Sequence, residues 1–524
     1  MADKPAAQRA KIGDLAVRVP IRHMAALGTL AVLGFLWLGR GLPDTAWLAS
    51  DSASYFDFSP VRPHGYAAFL AAYRRLFDDF AHLPAVQLGC YVAAVWLLAI
   101  GIALRTQNFI AAATTLIVAL WLTDTTGFPY VLSDSLYAAL LIAAAACFLF
   151  YAETGHAGAL LAASAGIGAA LTFRTIGLAL LPAFLIAAFI PSLTRRRHPL
   201  MTAALILLPI AGFYGAAAAS QLAHNHRFVL GSWGGMDILG KVPLLSRPVP
   251  PDSPYARLNG IVDAMQPARA QLARLDPLLE ALAARQYYEH LRWDVVRPAL
   301  KESWPDWRDA DEYRRGQFAA RIAAAYAAQD PVGLLHRTAI DLLGLWVMPR
   351  WLTEGEQEAM QAELDNIGGL PFLAGAAPPT VVATDAAAQA ALGYYKIVPD
   401  PTDAVQVIGF RIVVIVFWMF SLGFVVLLAA RPSLKAWQVA PDLLLILLAV
   451  HAVYLGTALM EGVHERYITP TWPLLVAAPI LALGLLFRTR RYRKPFLGQT
   501  PATASISSGT QLGSSNTLAG KGSP

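Results

Sequence analysis

Residues Ala157–Ile190 read AGALLAASAGIGAALTFRTIGLALLPAFLIAAFI, a 34-residue apolar run in which Arg174 is the one charged side chain. Crossing the roughly 30 Å of bilayer hydrocarbon takes about 20 apolar residues, so the run is too long for one span. The polar break Thr172-Phe-Arg-Thr175 therefore predicts two short helices, Ala157–Phe173 and Thr175–Ile190, that turn at Arg174. That turn leaves a lone arginine at the outer surface, where positive charge is not the default. An ionisable group so placed is a candidate for function, with snorkelling to head groups as the alternative.

Similar apolar runs lie on both sides. They fall near His23–Gly39, Leu83–Leu104, Asn108–Leu122, Ser133–Tyr151, Pro199–Ala219, Val407–Ala430, Val439–Met460 and Thr469–Phe487. With the two helices around Arg174 this makes about ten spans, several of them short. Composition agrees. The chain of 524 residues is 56% hydrophobic and 15% charged, against about 25% charged in soluble domains, and its mean hydropathy is +0.48. The fold class expected is an all-α polytopic membrane protein with a large, mostly helical outer-side segment. The formal charge of +6 does not indicate nucleic acid. Its excess lies largely in Arg195–Arg197 and the Arg488–Lys494 tail, which read as anchors against anionic lipid. Cys90 and Cys147 fall inside spans, so no disulfide framework is implied. The first apolar run lacks a small-residue cleavage site and reads as a retained anchor.

Placing the N-terminus in the cytoplasm puts Arg105, Arg195–Arg197, Arg431, Lys435 and the basic tail on the same side, as the positive-inside rule requires. Arg40, Arg62, Arg74 and Arg75 oppose it, but the reverse orientation would export the triple arginine and the tail. The expected organisation is a cytoplasmic tail at 1–22 and an N-terminal transmembrane module at 23–219, with its first outer loop at 40–82. An outer-side, periplasmic segment at 220–404 follows. C-terminal transmembrane helices occupy 405–487, and 488–524 is a basic, then disordered, cytoplasmic tail. Within the outer loop, Gly65–Phe77 suits an amphipathic helix lying along the interface. Within 220–404, Ala268–Leu291 and Asp311–Gln329 look helical, Leu334–Met348 is apolar but short for a span, and Gly368–Pro379 is rich in proline and glycine.

Polar side chains gather at the outer ends of these spans. Asp51, in Asp-Ser-Ala-Ser-Tyr, suits a general base at the water–membrane boundary; an Asx-turn or helix cap beside Ser52 and Ser54 is the plainer reading. Asp57 competes with it locally. Arg62 and His64 precede the interfacial helix, where cations can clamp a phosphate or face lipid head groups. Asp134, in Leu-Ser-Asp-Ser-Leu-Tyr, is either a second carboxylate of the same vestibule or, with Ser133, an N-cap. Asp124, in Thr-Asp-Thr-Thr-Gly, reads first as a turn. Glu461-Gly-Val-His-Glu-Arg-Tyr467 is the densest polar cluster between two spans. Its Arg466 suits a phosphate or carboxylate partner, and Tyr467 suits the interfacial belt. His464 and Glu465 could join a divalent metal site, though no second His or Cys stands at ligand spacing. No cofactor is certain.

Taken together, the early aspartate, the Arg-Pro-x-Gly-Tyr lead-in to a horizontal helix, Leu-Ser-Asp-Ser-Leu-Tyr, Leu-Thr-Phe-Arg-Thr-Ile-Gly and Glu-Arg-Tyr resemble the GT-C superfamily of polytopic glycosyltransferases. That group contains protein O-mannosyltransferases and aminoarabinose transferases of lipid A. The resemblance covers Asp51 to about Phe487; within 220–404 only Ala327–Trp346 is similar to a family segment. It implies a polyprenyl-phosphate-linked sugar donor, an envelope glycan, lipid or protein acceptor, an outward-facing site in a bacterial inner membrane, and transfer with inversion. On that reading Asp51 matches the first-loop catalytic aspartate, Asp134 stands where many relatives carry glutamate, and Arg174 and Arg466 match positions facing the donor phosphate. This chain has Asp-Ser at Asp51–Ser52 where the family's paired acidic motif would stand. Two other functions compete: a polysaccharide polymerase or ligase, and a lipid or solute transporter. Transporters tend to place charges near the midplane and to show internal repeats, whereas here the charges sit at span ends.

Overall fold

The computed structural model describes residues 20–347, 404–430, 440–460 and 465–493, apart from Ser50, Asp78, Thr126, 195–198, 232–233 and Ser246. The N-terminal tail, Arg195–Arg197, the Gly368–Pro379 tract, Arg431, Lys435, His464 and the Ser/Gly-rich end lie outside the described residues. Among the described residues regular structure is helical throughout, with two isolated β-bridges, Thr45 to Ala81 and Trp47 to Tyr130.

All ten apolar runs are helical over most of their length. The first half of the chain forms α1 (Ile21–Leu38), α2 (Ser52–Phe56), α3 (Gly65–Leu76), α4 (Leu83–Thr106), α5 (Phe109–Trp121), α6 (Asp134–Thr154), α7 (Ala157–Phe173), α8 (Leu180–Thr194) and α9 (Pro199–Asn225). A segment of shorter helices follows: α10 (Gly234–Leu239), α11 (Asn259–Ala264), α12 (Gln266–Leu272), α13 (Pro277–His290), α14 (Arg297–Ser303), α15 (Pro305–Asp309), α16 (Glu312–Gln329) and α17 (Pro331–Val347). The last described elements are α18 (Ala404–Ala430), α19 (Pro441–Met460), α20 (Glu465–Ile468) and α21 (Trp472–Arg493). Among the described residues seven helices are long and apolar enough to cross a membrane; α5, α7 and the stretch Thr175–Phe189 are shorter.

Local chemistry sets the turns. The Asn108 side chain accepts from the amides of Ile110 and Ala111, capping α5 directly after α4. Gly155 closes α6 in the left-handed conformation at φ 68°, and the His156 ring then caps α7. The expected helical stretch Ala268–Leu291 is two helices instead. Asp276 accepts from the amides of Leu278 and Leu279, and Pro277 opens α13, a helix-start signal stronger than the apolar pattern around it. Asp311 caps α16 in the same way.

α6 is apolar on every face and sits at the centre, packed on α4 and α7. α1, α9 and α18 are peripheral; Ile408, Ile412, Ile415, Met419, Leu422 and Val426 make an exposed apolar stripe on α18, as lipid contact requires. Charge concentrates at the two ends of α6, about 30 Å apart at 1.5 Å per residue. At its C-terminal end Arg105 donates to Asp442 (2.5 and 3.2 Å) and Glu153 (3.1 Å), and Arg488 donates to Glu153 (2.9 and 3.1 Å). These four side chains tie α4, α6, α19 and α21 together. At its N-terminal end stand Asp134 and Arg174. The short helices α10–α17 pack at that same end, touching the C-terminal part of α19 through Lys241 and Ala458.

Candidate active site

Asp51 stands at the N-cap position of α2, but its side chain makes no capping bond there. It accepts from Arg62 Nη2 at 2.8 Å, each side chain 20% exposed. The Arg62 guanidinium also lies 5.6 Å from the centre of the Tyr55 ring. α2 is held in place by Ser52, whose hydroxyl accepts from the Ala49 amide and donates to the Val131 carbonyl. That docking brings the Tyr55 hydroxyl to 3.0 Å from Ser133 Oγ.

Ser133 and Asp134 open α6, yet the Ser133 side chain does not cap it. Ser133 Oγ instead accepts from Arg174 Nε at 3.2 Å, and Asp134 Oδ2 accepts from Arg174 Nη2 at 2.8 Å. Arg174 is extended, with φ −146° and ψ 131°, and a 3-10 turn from Thr175 to Ala179 leads into α8. The predicted break is therefore present, but Arg174 is not at the surface. It is 6% exposed, because a carboxylate and a hydroxyl meet it and the Tyr467 ring covers its guanidinium face at 4.4 Å. Tyr55, with its ring beside Arg62 and its hydroxyl on Ser133, thus bridges two ion pairs: Asp51–Arg62 toward solvent, Asp134–Arg174 inside. Three buried polar atoms at the inner pair, Arg174 Nη1, Asp134 Oδ1 and the Tyr137 hydroxyl, have no hydrogen-bond partner among the described residues. Tyr137 stands one turn after Asp134 on the same helix face.

Asp134 also lines a cleft of about 50 Å³ shared with Asp124, Thr123, Ser135 and Thr469. Asp124, in the turn that follows α5, therefore faces the same space as Asp134. An apolar crevice between α6, α7, α8, α19 and α21 lies away from these groups and has no polar lining residue.

The helix expected after His64 is present as α3, with Tyr66, Leu70 and Tyr73 buried. It begins at a glycine because a Cβ at Gly65 would lie 2.2 Å from Thr172 Oγ1 and 2.6 Å from its carbonyl, so α3 starts against the end of α7. Tyr66 donates to Gln87 Oε1 at 3.1 Å. Burial, aided by Tyr55 and Asp134, holds its phenol well above the ordinary 10, so it is a neutral donor. His64 is 1% exposed and its Nδ1 lies 2.9 Å from Ser220 Oγ. Burial lowers its pKa from 6.5, partly opposed by backbone bonds at Phe58 and Ser59. α20 carries Glu465, Arg466 and Tyr467 in sequence, and the Tyr467 ring lies on Arg174. No group of three or more His, Cys, Asp or Glu able to hold a metal ion occurs among the described residues.

Sequence reading missed a second buried cluster beside the site. Lys241 donates to Asp341 Oδ2 at 2.7 Å and to the Ala458 carbonyl near the end of α19, and Tyr288 donates to Asp341 Oδ1 at 3.3 Å. Arg337 pairs with Glu280, and Arg292 with Asp237 at 2.6 Å. The available signal was the pair of charges, Arg337 and Asp341, inside the otherwise apolar run Leu334–Met348. Nothing comparable marked Lys241.

Fold and site define a multi-pass helical membrane protein with carboxylate–arginine pairs at both ends of its central helix, Asp134 at the α6 N-terminus lining the polar cleft. No family model matches the sequence, and neither does any curated protein. Among solved structures the chain is similar to ArnT from Cupriavidus metallidurans, solved bound to undecaprenyl phosphate. Identity is 12%, 90% of this chain and 89% of that chain are covered, and the TM-score is 0.31. A superposition that loose carries no argument about this chain's chemistry.

Proposed function

We propose that the protein is a membrane glycosyltransferase. It moves a sugar from a polyprenyl-phosphate donor to an envelope glycan, lipid or protein acceptor at the periplasmic face of a bacterial inner membrane. The observation that carries this reading is the junction of two carboxylate–arginine pairs, Asp51–Arg62 and Asp134–Arg174, through Tyr55 and Ser133 at one end of the bundle. Sugar transfer from a lipid phosphate needs a base for the incoming hydroxyl and cations for the departing phosphate. Asp51 takes the acceptor's proton as the acceptor oxygen bonds to the anomeric carbon. The bond from that carbon to the phosphate oxygen breaks, and its electron pair leaves with the polyprenyl phosphate. Arg174, with Arg62 and Arg466, faces that charge. Asp134 fixes the Arg174 guanidinium, Tyr467 covers it, and Asp124, His64, His464 and Glu465 support the site from around it. The 220–404 segment stands on the outer side and shapes the acceptor approach.

Asp51→Asn tests the assignment in proteoliposomes supplied with polyprenyl-phosphate sugar and acceptor. Donor binding should persist while release of polyprenyl phosphate falls about 10²–10⁴-fold, the usual contribution of a positioned base. Wild-type turnover in the variant removes Asp51 as the base. Substrate flux without covalent transfer in the wild type rejects the enzyme itself.

A further inference from the structure

The loop that carries Arg62 is suspended from the last turn of α9. Phe58 in that loop has φ 47°, a left-handed conformation that a non-glycine residue keeps only when its surroundings impose it. The surroundings are two carboxamides. Asn225 Nδ2 donates to the Phe58 carbonyl at 2.7 Å, and Gln221 Nε2 donates to the Arg62 carbonyl at 2.7 Å and to the Leu230 carbonyl at 3.3 Å. Asn225 Nδ2 also donates to Gln221 Oε1 at 2.9 Å, so the two amides brace one another. Gln221 is fully buried. With two carbonyl oxygens in front of it, its side chain has one usable orientation, nitrogen toward the loop. The His224 ring stacks on Phe58 at 4.2 Å, and a Cβ at Gly231 would come within 3.0 Å of the Val61 carbonyl, which leaves the loop no room to retreat.

We propose that Gln221 and Asn225 are positioning residues, whose task is to present the Arg62 guanidinium to Asp51 and to the donor's phosphate. The assignment deepens the glycosyltransferase reading and rests on it for the identity of the ligand, a lipid-linked phosphate. Neither residue touches substrate. They act through the backbone of the loop, Gln221 at Arg62 and Asn225 at Phe58, from a helix some 160 residues further along the chain. The loop and the end of α9 therefore move as one unit.

Gln221→Glu is the informative change. It keeps the shape, removes both donors and sets a carboxylate against two carbonyl oxygens. Asn225→Ala is the milder partner in case the first fails to fold. Hydrogen exchange of the full-length protein in nanodiscs should show the amides of Ser59, Val61, Arg62 and His64 exchanging at least about tenfold faster in each variant, with α4 and α6 unchanged. With polyprenyl-phosphate sugar as the probe, donor KM should rise about tenfold while kcat stays within about threefold of wild type. Added to Arg62→Ala, Gln221→Glu should raise KM no further, because its effect runs through that side chain. Unchanged loop exchange overturns the proposal, as does a lowered kcat with unchanged KM or full additivity with Arg62→Ala. A wild-type protein that transfers no sugar defeats the enzyme reading instead, and loop exchange alone then decides the suspension of Arg62.

Discussion

Replacing Arg174 with methionine should destabilise the protein more than any surface change, and neutralising Asp134 should recover most of the loss. Methionine keeps much of the side-chain stem and removes the guanidinium. The bonds to Asp134 Oδ2 and Ser133 Oγ disappear, as does the contact with Tyr467. The Asp134 side chain, 12% exposed, then holds a carboxylate whose other oxygen already lacks a partner among the described residues. Removing one partner of a buried ion pair costs about 3–5 kcal/mol, mainly because the remaining charge is stranded. The lost cation–π contact adds about 1 kcal/mol. With Asn at 134 no charge is stranded, so Arg174→Met with Asp134→Asn should cost about 1–3 kcal/mol, the range for an under-satisfied polar group. Unfolding of the single and the double variant by SDS in mixed micelles measures the difference. Sugar transfer should be lost in both, which separates catalysis from stability. A single variant within 1 kcal/mol of wild type refutes the reasoning, and so does a double variant no more stable than Arg174→Met.

Lys241→Met should behave in the same way at the second cluster, stranding the fully buried Asp341 at a cost of about 3–5 kcal/mol; an unchanged unfolding curve would remove that pair from the stability of α10 on α17. His64 supplies a pH test. Its folded pKa lies below 6.5, so the unfolded chain takes up a proton that the native ring refuses, and stability present above pH 6.5 is lost as the pH falls below it. His64→Gln should flatten that decline in thermal unfolding at matched ionic strength, and identical slopes in the two proteins would exclude His64 as its source.

The interruption at Arg174 was legible because 34 apolar residues cannot fill one span, and the helicity of α3 was legible from the residues Gly65–Phe77. The burial of Arg174 was not. It depends on Ser133, Asp134 and Tyr467, residues far apart in sequence whose convergence no local pattern encodes. Ser133 illustrates the same limit: its position before α6 looks like a cap, and the tertiary fold diverts its hydroxyl to Tyr55 and Arg174. The pairing of Asp51 with Arg62 hangs on the short turn of α2 and on Phe58, whose left-handed backbone no sequence rule assigns to phenylalanine. Gln221 and Asn225 went unnoticed because a polar end to a span is ordinary. Their meaning came from the carbonyls they face.

The bonds of Asp134 and Glu153 at opposite tips of α6 fix that helix lengthwise. A rod staked at both tips can neither slip along its axis nor lean without tearing one stake loose. In a thinner or thicker bilayer, then, the lipid rather than the protein has to stretch or dimple.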